Sequence, residues 1–527
     1  MSRITTTISR RGLLKSTAAT GLVATTSGLS LPFYARAANA PVFTHGVQSG
    51  DVDSVSGMIW TRVDRPSRVM MEVATTESFK DAVRLAALDA LPESDFAIKR
   101  LVENVPSDQE IFYRFTAADL SDINIVSQPI VGRFRTAPAS RRNIRFAWSG
   151  DTAGQGWGID DKGMYCYATI AKHQPDFFLH SGDTIYADGP MKESVDLADG
   201  TKWVNSVLTD EKRKVAETLA EYRGQWKYNM MDEHVRAMNA VCPTLFQWDD
   251  HEVVNNWSAS KDLSGDDRYT EKSVALLTAR AARAFHEMTP IRFTPAEPGR
   301  IYRKISYGPM MDVFFIDLRS YRGPNGDSKE AVMDDASRII GAEQMRWLKR
   351  ELAASRATWK VLACDMPIGV IVWDNFKERK GAEAIANGDN GPASGRELEI
   401  ADLLRYIKTS GITNTVWFTA DVHYTAAHHY NPEKAQFQDF EPFWEFVSGP
   451  IHAGTFGPND MDMTFGPEIK FISAPTKEQG QNLPPSAGLQ FFGLVDIDGA
   501  TEQMTVRLMN RDDKELWKIT LDPVRAV

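Results

Sequence analysis

The sequence has 527 residues, 43% hydrophobic and 25% charged, which is ordinary globular composition with enough chain for a large core. Its formal net charge of −10 gives no general attraction to nucleic acid or to anionic membranes, so no nucleic-acid-binding surface is implied. The three cysteines (Cys166, Cys242 and Cys364) are far apart and odd in number, which argues against a disulfide framework and a CxxC metal site; each reads as a small buried hydrophobe.

Residues 1–40 form a separate object. "SRRGLLK" (Ser9 to Lys15) sets paired arginines before a mildly apolar Ala/Thr/Gly-rich run, Ser16 to Leu31. Small-residue cleavage patterns come next, "ARA" (Ala35 to Ala37) and "ANA" (Ala38 to Ala40). This pattern predicts a twin-arginine export signal, with the export machinery as partner and a periplasmic or extracellular destination. A transmembrane anchor fits less well, because the run is weakly hydrophobic and shorter than the ~20 apolar residues of a span. No later segment is a candidate span, so no permanent membrane span is expected. The twin-arginine route carries folded proteins and suits an enzyme that acquires a metal before export.

Residues 41–138 read as short strands and turns. "SGMIWTRVD" (Ser56 to Asp64), "RVMMEVATT" (Arg68 to Thr76) and "IFYRFTAAD" (Ile111 to Asp119) alternate or run apolar, and the size suits one β-sandwich. "TAPASRRN" (Thr136 to Asn143) reads as a linker. From residue 143 to 527 the rhythm changes to short β-branched and aromatic strands with helical stretches between several of them, which predicts an α/β layered domain. "GAEQMRWLKRELAAS" (Gly341 to Ser355) places Met345, Leu348 and Leu352 on one helical face, and Glu217 to Met238 also reads as helical. The segments "GLVDIDG" and "QMTVRLMNRDDKELWKITLD" read as a hairpin closing the sheet.

The important regularity is positional. "IRFAWSG" runs into Asp151, "DFFLHSG" into Asp183, and "PTLFQW" into Asp249 and Asp250; "DVFFI" runs into Asp317, "WKVLAC" into Asp365 and "TVWFTA" into Asp421. Ligand sites of α/β sheets lie just beyond the carboxyl ends of strands, so these carboxylates can converge on one rim. Several anions cannot share a rim unpaired, because repulsion and desolvation raise their pKa values. Few basic residues adjoin them in sequence, which makes cations the simpler partner. A single strand-end Asp is most often a turn former or helix N-cap, and Asp317 and Asp365 fit that role or a supporting one. The others have company: Tyr186 follows Asp183, His251 adjoins Asp250 and His423 follows Asp421; Asp151 rests on its strand-end position alone. Oxygen ligands suit Ca, Mg, Mn or Fe, and His and Tyr shift one site toward a transition metal.

The blocks "SGDTAG", "SGDTIY", "WDDHE" and "ADVH" resemble the ordered motifs of the calcineurin-like metallophosphoesterase superfamily. With "FTHGVQSGD…MIWTRV", "DDHEVVNNW" and "FTADVH", the chain is more specifically similar to the PhoD-like alkaline phosphatase/phosphodiesterase family over nearly its whole length after the signal. The resemblance implies a small all-β immunoglobulin- or fibronectin-like domain followed by a metallophosphoesterase βαβ sandwich. It implies Fe³⁺ held by Asp151, Asp183, Tyr186 and His423, and Ca²⁺ held by Asp183, Asp250 and Asp421. His251 would be the catalytic residue facing the leaving group; Asn255 or Asn256 would support calcium or bind phosphate, and Asp249, Glu252 and Asp365 would stand behind the site. Ala153 occupies the position of the superfamily's DxH histidine. The implied activity is hydrolysis of small-molecule phosphate monoesters by metal-bound hydroxide. The alternatives are phosphodiesterase or phospholipase D-type activity, and a cation-dependent binding protein on a degenerate phosphatase fold. Residues Ala187 to Met238 are expected to shape access.

Overall fold

A computed structural model describes residues 39–525, so the export signal expected over residues 1–40 lies, but for its last two residues, outside the described residues. Among the described residues, no helix is long and apolar enough to cross a membrane.

The first part of the chain forms two antiparallel sheets. Strands Phe43–Gly50, Ser56–Val63 and Ala97–Glu103 make one; Val83–Ala90, Ser67–Ala74, Glu110–Asp119 and Ile130–Arg135 make the other. Strand alternation sends Val69, Met71 and Val73 inward, where they meet Val47, Ile59, Tyr113 and Phe134. This sandwich is fastened to the α/β sheets by a buried ion pair. Asp51, at the end of its first strand, takes the Arg303 guanidinium at 2.7 Å, and Arg303 also donates to the Phe246 carbonyl at 2.9 Å. Arg303 thereby joins the sandwich to the strand that leads into "WDDHE".

The rest of the described chain is built on two packed sheets. The six-stranded sheet runs Thr244–Gln247, Phe177–Ser181, Ile144–Ser149, Phe491–Ile497, Met504–Asn510 and Glu515–Leu521, with the first three strands parallel. The seven-stranded sheet holds Met311–Phe315, Trp359–Ala363 and Thr415–Thr419 as parallel neighbours. Every segment expected to be a strand ending on an aspartate is therefore a strand, three in each sheet. Phe146, Trp148, Leu179, Phe315, Val361 and Phe418 fill the space between the sheets. The edge of Trp148 meets Phe418 at a centroid distance of 4.6 Å, an arrangement favoured by ring quadrupoles. Because each sheet is covered on both faces, its parallel strands are near-continuous apolar runs, and their polar residues collect at the carboxyl ends.

The helices follow the apolar periodicity. Ala342–Ala354 buries Met345, Leu348 and Leu352 as expected. The stretch from Glu217 to Met238 forms two helices, Leu219–Asn229 and Glu233–Asn239. Thr218 and Glu221 form a capping box at the start of the first helix. The break falls where the Asp232 carboxylate accepts from the His234 and Val235 amides, starting a new helix. The expected closing hairpin is a three-stranded meander, because the last segment turns again at residues 511–514. All three cysteines are buried and free.

Candidate metal centre

The carboxyl ends of the parallel strands from both sheets face one cavity. Asp151, Asp183 and His423 each present a ligand atom, all within 4.8 Å of one another; Asp183, Asp250 and His251 form a second such group. Asp183 belongs to both. The Tyr186 hydroxyl lies 2.9 Å from His423 Nε2 and 3.4 Å from Asp151 Oδ1. His423 donates from Nδ1 to the Gly454 carbonyl at 2.5 Å, which fixes the tautomer and turns the Nε2 lone pair inward.

The backbone is bent to achieve this. Asp151, Asp183, Asp421 and His423 have φ of 67°, 50°, 62° and 61°, a left-handed conformation that costs on the order of 1 kcal/mol per non-glycine residue. Such strain, repeated in three of the loops, aims side chains at a common point. Gly182, with φ of 99°, permits the crossing of two of these loops: a β-carbon there would lie 2.6 Å from that of Asp249. Gly154 lies beneath the Tyr186 ring, where a β-carbon would come within 2.3 Å. That close seating is one reason for the glycine-rich "DTAGQGWG".

The electrostatics suit a cation. Burial, joined by the nearby Asp249, pushes the Asp151, Asp183 and Asp421 carboxyls well above the usual range. Asp151 Oδ2 is buried without a hydrogen-bond partner. Burial and the charges of Asp183 and Asp151 push the Tyr186 phenol up as well. A buried oxygen-rich set with one imidazole and one phenol fits a hard or borderline metal ion.

Asp250 and His251 occupy the other side. The Asp250 carboxylate accepts from the Asn256 amide, and burial is outweighed there by His251 and Arg319, so its pKa falls below the usual value. His251 donates from Nδ1 to Asp188 at 2.6 Å, leaving Nε2 toward the cavity, 3.9 Å from Asp250 Oδ1. Burial would lower the His251 pKa, but Asp188 and then Asp250 outweigh it, raising the value to about 9.

The remaining sequence candidates divide. Asp421 lines the cavity, with Arg319 Nη2 at 3.6 Å. Asn255 also lines it, and its backbone amide donates to Asp188 at 2.8 Å. Asn256 lines the cavity but spends its side chain on the Asp374 carbonyl at 3.0 Å. Asp249 and Asp365 do not line the cavity, and both bind Arg319. Asp317 is a turn former, accepting from the Arg319 and Ser320 amides at 3.0 and 2.9 Å.

Sequence reasoning missed three residues, Arg319, Asp188 and His180, and read Glu252 only as support behind the site. Arg319, fully buried, is the cation to which Asp249, Asp365, Glu383 and Asp421 turn. Its signal lay in "DLRSYR", two residues past a strand-end aspartate. Asp188 lies five residues past Asp183, a spacing that carries no helical or strand signature. Glu252 accepts from the Thr184, Asp249 and Asp183 amides at 2.6, 2.8 and 3.3 Å, locking "GDT" to "DDHE". His180 lies behind, bonded through Nε2 to Thr152 and through Nδ1 to Thr184 at 2.9 and 3.2 Å. The outer cavity also differs from expectation. Its wall comes from residues 371–379 and 456–460, and no residue from Ala187 to Met238 lines it. Tyr222 and Trp226 of that stretch pack instead into a core beneath the "DDHE" loop.

Two mixed sheets with a carboxylate-, imidazole- and phenol-bearing rim at their strand ends define a metallophosphoesterase. The model of the PhoD-like phosphatase family matches residues 146–508, and that of the PhoD-like phosphatase N-terminal domain matches residues 28–138. The chain belongs to the PhoD-like phosphatase family. It is 28% identical over 460 residues to alkaline phosphatase D of Bacillus subtilis (strain 168), covering 82% of this chain and 74% of that protein. The solved structure of PhoD superposes with a TM-score of 0.67 at 21% identity, over 92% of this chain and 93% of that one. Purple acid phosphatase PPD1 from yellow lupin (Lupinus luteus) seeds superposes with a TM-score of 0.55 at 12% identity, over 92% and 74% of the two chains. The chain is a metal-dependent phosphoesterase.

Proposed function

We propose that the protein hydrolyses phosphate monoesters at a centre of Fe³⁺ and Ca²⁺, with Asp151, Asp183, Tyr186 and His423 holding the iron and Asp183, Asp250 and Asp421 the calcium. The observation that carries this reading is the position of Asp183, which belongs to both ligand groups and so can bridge two ions. When bound, the ions would supply Lewis acidity toward water and neutralise the phosphoryl oxygens. The protein residues do the rest. Asp188 orients the His251 ring and sustains its protonated form. From Nε2, His251 gives its proton to the departing alcohol as the P–O bond breaks and the oxygen of water joins phosphorus; the proton lost by that water passes to solvent, from which His251 is reprotonated. Glu252 holds the Asp183 and Asp250 loops in register through its backbone bonds.

Hydrolysis of diesters is a second reading, favoured by a cavity of about 910 Å³, which leaves room for a second ester arm. We further propose a division into residues 1–40 as export signal, 41–138 as sandwich and 143–527 as catalytic unit, with export by the twin-arginine route to the periplasm or beyond. The paired arginines at Arg10 and Arg11 and the separate sheets on either side of residue 138 support it.

The decisive test pairs elemental analysis with a His251→Ala variant assayed on mono-, di- and triesters, with and without added calcium. Iron and calcium are expected in the wild type. The variant should retain both ions and lose turnover, most of all on esters of poor leaving groups. Unchanged kinetics would remove His251 from the reaction, and other ions would overturn the metal assignment.

A further inference from the structure

A phosphoryl group fills only a small part of the cavity, whose outer wall sets apolar and aromatic side chains beside the charged Asp374, Lys377, Arg379 and Asp460. Ile371, Val372, Trp373 and Phe376 form one side, and Phe456 stands opposite, its ring edge-on to His423 at 5.2 Å. The first wall belongs to a small hairpin, Trp373–Asn375 paired with Lys380–Ala382. At its tip, Phe376 is 77% exposed, and neither it nor Trp373 has an aromatic partner among the described residues. Together with Ile371, Val372 and Trp373, Phe376 makes a contiguous apolar patch beside the reaction centre, the kind of surface a ligand covers.

The hairpin is braced, not loose. The Ile371 amide donates to the Asp460 carbonyl at 3.0 Å, and the Asn459 side chain donates to the Ile371 carbonyl at 3.0 Å. Asp374 is held by both Asn256, at its carbonyl, and Asn325, at its carboxylate, each at 3.0 Å. The Trp373 ring rests on Gly388, where an added β-carbon would lie 2.9 Å from it. Asn256 belongs to the same loop as Asp250 and His251, so the wall has a fixed relation to the reacting end.

We propose that this wall is the subsite for the alcohol half of the ester, and that it selects alcohols carrying a flat, apolar ring system. The proposal rests on the phosphoesterase reading. With phosphate on the rim of carboxylates and His251 facing the leaving oxygen, the alcohol must project into the remaining space, between Phe456 and the hairpin. Aromatic side chains reward a ring that stacks on them beyond the gain from area alone, whereas a flexible alkyl chain must be ordered to make the same contact.

The test uses the metal-loaded enzyme and three alkyl phosphates of similar leaving-group basicity: ethyl, octyl and 2-naphthylmethyl phosphate. The expected result is a kcat/KM for the naphthylmethyl ester well above those of the other two. Trp373→Ala should lower the naphthylmethyl-to-ethyl ratio about tenfold, and the surface variant Phe376→Ala should lower it about threefold without bearing on folding. Inhibition by naphthylmethyl phosphonate should weaken in parallel, which separates ring binding from chemistry. A ratio unchanged in both variants overturns the subsite, and an octyl ester favoured as strongly as the naphthylmethyl one overturns selection of a ring. Failure to hydrolyse any of the three would instead refute monoester hydrolysis, leaving phosphonate binding to report on the subsite.

Discussion

Asp249 and Asp250 are neighbours in the chain and live in different electrostatic worlds. Asp249 turns inward to the buried guanidinium of Arg319, in company with Asp365 and Glu383. Asp250 turns outward, into a group with Asp183 and His251 at the cavity. One cluster carries its own cation; the other is complete only with a cation from outside. The bend after the strand Thr244–Gln247 sets this difference, because Asp249 and Asp250 lie two and three residues past its end, where the chain turns away. In the proposed reading the first kind of cluster holds the fold and the second would hold the metal, so damage to each should appear in a different measurement.

The largest expected effect is on the metal side. Asp183→Asn removes the one carboxylate shared by both ligand groups, and it should lower kcat/KM on the order of 10³-fold. Metal content should fall with it by elemental analysis, while thermal stability in the presence of a chelator stays near that of the chelated wild type. Full metal occupancy in this variant would dispose of the bridging role.

The converse break is Arg319→Met. It strands buried carboxylates without a partner and should cost about 3–5 kcal/mol in denaturant unfolding. Adding Asp249→Asn and Glu383→Gln should recover a large part of that loss, because the unpaired charges leave together. A cost below about 1 kcal/mol would mean that Arg319 does not neutralise the cluster.

A finer distinction concerns protons. His251 is raised to about 9 against the opposing effect of burial, chiefly by Asp188. A general acid works in its protonated form, so activity should decline as pH rises through that pKa. Asp188→Asn withdraws the supporting charge and lowers the pKa, so the alkaline limb should move toward acid by about one pH unit. The pH profile of kcat measures it; an unmoved limb would assign that decline to another group.

The two regions were not equally legible in the sequence. The outward set announced itself, because each candidate carboxylate follows an apolar strand at a short distance and, Asp151 apart, a His or Tyr stands nearby. The strands and their carboxyl-end aspartates could be read for the same reason: parallel strands covered on both faces are almost purely apolar, and the first polar residue stands out. The inward set was nearly silent. Arg319 reaches Asp249 across 70 positions and Glu383 across 64, and no local pattern encodes a pairing made by the packing of two sheets. Asp249 looked like its neighbour because side-chain direction, not residue type, separates them. The hairpin at Trp373 was missed for a related reason: its strands have three residues each, too short for alternation to show.

The smallest effect tests whether the two sides of the cavity are mechanically joined. Asn256 uses its backbone amide to hold Asp250 and its side chain to hold the hairpin at Asp374. Asn256→Gly, which suits the left-handed φ of 55° there, keeps the first bond and removes the second. One hydrogen bond at a half-exposed site contributes about 1 kcal/mol at most, and Asn325 still restrains Asp374, so kcat/KM should fall only about threefold. The loss should appear in KM for bulky esters, with kcat and metal content retained. An Asn256 that binds phosphate or calcium, as the sequence suggested, would instead lose kcat or metal on every ester, large or small. The KM-against-kcat split therefore decides whether this asparagine serves the reacting group or the wall that faces it.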